Sequence, residues 1–134
     1  MAKTKIINQS GKRKKAVARA TIKPGTGKVF INNKELDLHT PKMARERIRE
    51  PIILAKDAVK KLDIDVSSKG GGFAGQADAI RLAIAKSLAE HDSSLKDVFL
   101  DYDRQLIVAD VRVRETRKPN SHGKARAKRQ KSYR

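Results

Sequence analysis

The first 34 residues hold ten lysines and arginines and no acidic side chain, and the last 23 hold ten basic residues against a single glutamate. Between them, residues 35 to 111 carry 12 basic and 14 acidic residues, the mixed surface of an ordinary globular segment. This segregation limits what the chain can become, because the cationic ends must be faces or extensions of one body. With 134 residues there is room for one domain. A net charge of +17 repels itself unless a polyanion offsets it. The absence of cysteine excludes a disulfide framework, a thiolate zinc site and a thiol nucleophile, and fits a reducing cytosolic setting. The N-terminal MAKTKIINQS has no apolar core of a leader, and the longest apolar runs, Ile52–Ala55 and Leu106–Ala109, are far too short to span a membrane. A soluble, unprocessed protein with no membrane partner is expected.

Periodicity supplies the elements. Alternation from Ala16 to Ile22 predicts a strand, PGTGK a turn, Val29–Ile31 a second strand and Asn32-Asn33 another turn, which together start an antiparallel meander. Thr40 is expected to cap a helix with Pro41 at its first position, carrying Met43, Ala44, Ile48, Ile52 and Leu54–Ala55 at helical spacing. Pro51 should kink or split it. Lys56–Lys61 continues helically, and Leu62, Ile64 and Val66 alternate with Asp63, Asp65 and Ser67 as a strand with one wet face. A glycine loop, Gly70 to Gly75, leads into a helix over Gln76–Glu90 whose stripe is Ala79, Ile80, Ala83, Ile84, Ser87 and Leu88. Leu106–Val113 reads as the last strand. The pattern predicts an α+β fold, about four strands in a mixed sheet with helices on one face. Residues 1–113 would form the folded α+β domain and residues 114–134, which lack apolar periodicity, an extended basic tail.

Gly70, Gly72 and Gly75 satisfy GxGxxG, with Asp92 at the distance of a ribose-binding acid. A dinucleotide fold needs several parallel βα units, for which the meander leaves no room. Two uses of Gly70, Gly71 and Gly72 stay open: amides at a helix N-terminus that take a phosphate, or a tight strand-to-helix turn only. His39, His91 and His122 lack ligand spacing, Asp63 and Asp65 fit a solvated strand face, and no nucleophile, base and orienting group assemble, so neither metal, cofactor nor catalysis is expected. Lys12, Arg13, Lys14 and Lys15 form an unbroken cationic run with Arg19 just beyond, suited to phosphates along folded RNA, a localisation signal being the alternative. In the tail, Arg117, Lys118, Lys124, Arg126, Lys128 and Arg129 are spaced by small and polar residues, so the chain stays thin enough to pass between RNA helices. Fully extended, residues 112 to 134 would reach roughly 75 Å. Tyr133 and Arg134 pair a ring that stacks on a base with a guanidinium suited to phosphate, against the alternative of a frayed end. A DNA-compacting protein would share this composition, although no helix-turn-helix or dimer seam is evident.

Three blocks, SGKRKKAVARATI, GGGFAGQADAIRLAIAKSL and ARAKRQKSYR, resemble the small-subunit ribosomal protein nine family over nearly the whole chain. Gly70, Gly71, Gly72, Gln76, Ala79, Lys86 and Leu88 stand where the family pattern has them. The ending Ser132-Tyr133-Arg134 resembles the archaeal and eukaryotic branch, Tyr133 standing where bacterial members usually carry lysine. The resemblance implies a left-handed βαβ type of domain on the head of the small subunit, bound to its rRNA and neighbouring head proteins, within cytoplasmic ribosomes. It further implies a tail that reaches the peptidyl-site tRNA, with Arg134 at the position that approaches the anticodon stem-loop and Lys131 nearby. No small-molecule substrate or cofactor is implied.

Overall fold

Ala16, Ala18, Ala20 and Ile22 are buried while Val17, Arg19 and Lys23 are exposed, and this alternation gives the sheet one covered and one open face. The computed structural model describes residues 5–39, 41–126 and 132–133. Its strands are β1 (Ile7–Arg13), β2 (Ala16–Pro24), β3 (Val29–Ile31), β4 (Lys34–Glu35) and β5 (Leu62–Lys69). They lie in the order β1-β2-β5-β3-β4, antiparallel except for β3 beside β5. That parallel pair is joined through α1 (Lys42–Ala55), a βαβ unit embedded in a mixed sheet. The α+β architecture expected from the sequence is therefore present, with five strands instead of about four.

Helix α2 (Phe73–His91) lies on the covered face against β1, β2 and β5, and α1 packs beside it. It is buried along Ala77, Ala79, Ile80, Ala83, Ile84 and Leu88, as its stripe predicts, and it starts three residues before the expected Gln76. Contact with β1 is close: a Cβ on Gly11 would lie 2.2 Å from the Ala79 carbonyl oxygen and 2.7 Å from the Ala83 amide nitrogen. Helix α3 (Ser94–Tyr102) plugs the end of the core with Leu95 and Phe99. Asn32 and Asn33, at φ of 51° and 68°, form the two-residue β3–β4 turn, whose twist demands positive φ at both positions.

Several expectations are corrected. Strand β1 went unread because its inward residues include Gly11 and Gln9, which carry no apolar signal. Pro51 does not split α1; it is fully buried inside a continuous helix held by packing on α2. Pro41 is the N-cap of that helix and Lys42 its first residue, while Thr40 lies outside the described residues. Lys56–Lys61 does continue helically, as a 3-10 helix. Leu106–Val113 is not a strand: Arg104–Leu106 is a 3-10 turn, Leu106 is buried as a plug, and Val111 and Val113 are 86% and 65% exposed. Asp110 accepts the Arg112 amide at 3.0 Å, a turn that bends the chain where a strand would extend it.

Gly11→Ala is expected to destabilise the protein by about 2–3 kcal/mol, since both atoms it meets are helix backbone. Gly72→Ala, with nothing within 4 Å and φ of −95°, meets no clash and should cost only about 0.5–1 kcal/mol, the margin by which alanine caps a helix less well than glycine. Urea unfolding of the two variants checks the contrast.

Candidate nucleic-acid interface

Arg13 pairs with Ala16 across the β1–β2 hairpin, so Lys14 and Lys15 are its two-residue turn. Lys14 sits at φ 55°, a left-handed conformation that costs a non-glycine residue about 1–2 kcal/mol. Lys12, Lys14 and Lys15 are all exposed. Directly beneath them runs the glycine loop. Gly70 and Gly71 take φ of 80° and 63°, and a Cβ on Gly70 would come within 2.5 Å of the Lys15 carbonyl oxygen. Gln76 donates its side-chain amide to the Gly70 carbonyl at 3.0 Å and its backbone N–H to Gly72 at 2.9 Å. The amides of Phe73, Ala74 and Gly75 precede the first helical bond and have no partner within α2. Two blocks more than fifty residues apart in sequence thus place a cationic turn and a helix N-terminus side by side.

The register extends this surface over the open sheet face. Lys12, Val17 and Lys69 stand abreast on β1, β2 and β5, and Arg19 lies between Ser10 and Ser67 in a neighbouring row. Lys23 continues the line opposite Asp63, whose carboxylate accepts the amides of Thr26 at 2.8 Å and Lys28 at 3.2 Å. Those bonds hold the Asp63 carboxyl below its ordinary range, and they explain the acid as a turn fastener. Lys69 escaped the sequence reading although the alternation of β5 points it outward. Phe73, 62% exposed at the first turn of α2, was equally unmarked as an aromatic platform beside the loop.

Arg13 differs from its neighbours in the basic run. Its guanidinium is 17% exposed and pairs with Asp110 at 2.7 Å and with Asp78 at 3.8 Å. Asp78 also pairs with Arg47 at 2.5 Å, and buried Arg81 bridges Glu50 at 2.5 Å and Asp103 at 3.0 Å. This cluster ties β1, α1, α2 and the chain after α3 together at the root of the tail. Asp110 is fastened twice over, because Arg112 adds hydrogen bonds from Nε at 3.0 and 3.1 Å and from Nη2 at 2.7 Å.

Of the tail candidates, Arg117 and Lys124 are exposed. Lys118 and Arg126 both pair with Glu115, the latter at 2.6 Å, and Lys118 donates its amide to the Lys124 carbonyl at 2.9 Å, closing a loop. Tyr133 is 85% exposed. Lys128, Arg129, Lys131 and Arg134 lie outside the described residues. Among the described residues no group of histidine and acidic side chains stands where it could hold a metal, and no helix is long and apolar enough to cross a membrane.

The sequence profile of the family described as ribosomal protein S9/S16 matches residues 11–134. The small ribosomal subunit protein uS9 of Halobacterium salinarum is 52% identical over 132 residues, covering 96% of this chain and 99% of its own length. That of Methanothrix thermoacetophila is 48% identical over 132 residues, with 97% and 99% covered. The protein of the same name from Methanococcus maripaludis is 47% identical over 133 residues, with 97% and 99% covered.

The Asp110 fastening makes a pH prediction. The side-chain hydrogen bonds from Arg112, then its backbone amide and the charges of Arg112 and Arg13, hold the Asp110 carboxyl well below the usual carboxylate range. A depressed folded-state pKa stabilises above the unfolded value and is lost as pH falls through the folded one. The Asp110 carboxylate should therefore stay ionised, and able to pair with Arg13, at neutral and mildly acid pH, and lose that pair only in strong acid. A carboxyl-carbon NMR titration of Asp110 should give a midpoint below the ordinary aspartate value; an ordinary midpoint would refute the fastening.

Proposed function

The chain belongs to the ribosomal protein S9/S16 family, and from that premise we propose that it is a structural constituent of the small ribosomal subunit that binds small-subunit rRNA and sends its basic tail toward the peptidyl-site tRNA. The family is a structural one without catalysis, and its setting is the ribosome of the cytoplasm, where rRNA and neighbouring head proteins are the partners. The observation that carries the rRNA reading is the meeting of Lys12, Lys14 and Lys15 with Gly70, Gly71, Gly72 and the first turn of α2. Lysines neutralise phosphates and release counterions, and helix amides add donors in fixed directions. Neither reads base identity, which suits a protein that holds folded RNA by its backbone. Arg19, Lys23 and Lys69 lengthen the track, and Phe73 offers a ring for stacking.

Arg13 serves this interface by position. Its pairs with Asp78 and Asp110 hold β1 and the tail root to α2, so that the lysines beside it face outward. Residues 1–113 act as the binding domain and residues 114–134 as the tail, with Arg117, Lys118, Lys124, Arg126, Lys128 and Arg129 contacting rRNA. At its tip, Lys131, Tyr133 and Arg134 contact tRNA. A planar guanidinium can grip a phosphate through paired donors whatever the sequence, which suits a site that must accept every elongator tRNA.

Replacing Lys14 by Gly together with Lys15→Ala should leave the free protein as stable as before or about 0.5 kcal/mol more so, since glycine relieves the positive φ. Its affinity for small-subunit rRNA should fall, and the slope of log K against log salt should become shallower by about 1.5 if two phosphate contacts are lost. Filter binding across a salt series measures both; an unchanged slope, or equal binding to duplex DNA at matched salt, would overturn the rRNA reading. Deleting residues 131–134 should leave subunit assembly intact and weaken peptidyl-site tRNA binding modestly. Subunits that assemble with the truncated chain and bind tRNA with unaltered affinity would remove the tail tip from the mechanism.

A further inference from the structure

Basic residues outnumber acidic ones by 32 to 15 in this chain, yet five of the fifteen acidic side chains lie between Glu90 and Asp103, where Lys96 is the one lysine or arginine. Three are occupied: Glu90 accepts from Gln9, Asp92 from Ser94, and Asp103 holds Arg81. The other two, Asp97 and Asp101, are exposed on α3 and pair with no cation among the described residues. They stand four residues apart, so they share one helical row. Val98 and Tyr102 form the adjacent row, 42% and 55% exposed, while Leu95 and Phe99 on the opposite side are buried in the core.

We propose that this face of α3 is a docking surface for a lysine- and arginine-rich extended segment of a neighbouring protein. Charge complementarity identifies the occupant. Two uncompensated carboxylates repel phosphate, so the patch is unfit for the RNA that the rest of the surface attracts. A basic segment would set its charged heads against Asp97 and Asp101 and lay its methylene stems over Val98 and Tyr102. Tyr102 can also receive a cation on its ring face. Helix α2 spans 19 residues, roughly 28 Å at about 1.5 Å per residue, and α3 begins beyond its far end. The two surfaces can therefore be occupied together.

The chain has no cysteine, so Ser94→Cys gives a single attachment point on this face, four residues from Val98 and seven from Asp101. With a benzophenone maleimide on that thiol and the full chain assembled into small subunits, irradiation should crosslink a lysine- and arginine-rich segment of another protein. Adding Asp97→Lys and Asp101→Lys should cut the yield about fivefold, as expected for the loss of two exposed charge pairs. Crosslinks to rRNA, to the chain's own tail, to a segment without basic residues or to nothing would overturn the proposal, as would a yield indifferent to the charge reversal. Incorporation of the unmodified chain into subunits is scored separately: its failure would sink the proposed ribosomal role, whereas normal incorporation without the basic crosslink sinks only the docking surface.

Discussion

The near-contact of α2 with β1 at Gly11 organises the rest of the molecule. An interface lined by Gly11, Ala16, Ala18, Ala20, Ala79 and Ala83 lets helix and strand backbones approach more closely than larger side chains would allow. Close approach fixes the helix axis along the hairpin, and the hairpin turn consequently ends over the loop that starts the helix. Had the interface been built from leucine and isoleucine, α2 would stand off the sheet and the lysine turn would lose its neighbour. Burial of so many small side chains contributes less per residue than a larger core would. Isoleucines and Phe99 around the margin, fully buried, make up the apolar mass.

The division between arginine and lysine follows from the same geometry. Arg13 and Arg81 are held inside the protein, where a planar fork bridges two carboxylates from different elements, and exposed Arg47 pairs with Asp78 beside them. Arg81 is the most buried of them, and its two carboxylates, Glu50 and Asp103, mean that its charge keeps a partner when either one is removed. Acidic residues of the globular segment are largely absorbed in this way, as fasteners at Asp63, Asp78, Asp103 and Asp110. What remains outward at the hairpin turn is lysine, Lys12, Lys14 and Lys15, a compact charge on a flexible stem that adapts to phosphates without rigid geometry.

This division also explains which parts of the fold were legible in advance. Strands β2 and β5 and helix α2 announce themselves because their buried positions are apolar at the right period. The Asn32-Asn33 turn does so because asparagine tolerates positive φ. Strand β1 does not, since its tightest packing residue is a glycine that hydropathy ignores. Helix α3 is only nine residues long and carries exposed Val98, Leu100 and Tyr102 beside buried Leu95 and Phe99, so its apolar residues do not single out one face. Leu106–Val113 has strand-like residues, but tertiary context decides: Leu106 finds a pocket and Asp110 finds Arg13. No local reading could tell Arg13 from the lysines beside it, because Asp78 and Asp110 are distant in sequence.

The three glycines before α2 differ in what the chain itself asks of them. Gly70 and Gly71 are accounted for within the chain, since positive φ and the nearby backbone of Lys15 and Ala16 exclude a side chain. Gly72 is not. Its backbone is extended, a Cβ there would meet no atom within 4 Å, and as N-cap it makes no side-chain hydrogen bond to the helix. Serine, aspartate or asparagine would cap α2 better, and each would occupy an amide of the first turn with its own oxygen. Glycine forgoes that stabilisation and leaves both the amides and the space before them open. That space fits the proposed rRNA phosphate, held between the amides and Lys14 and Lys15.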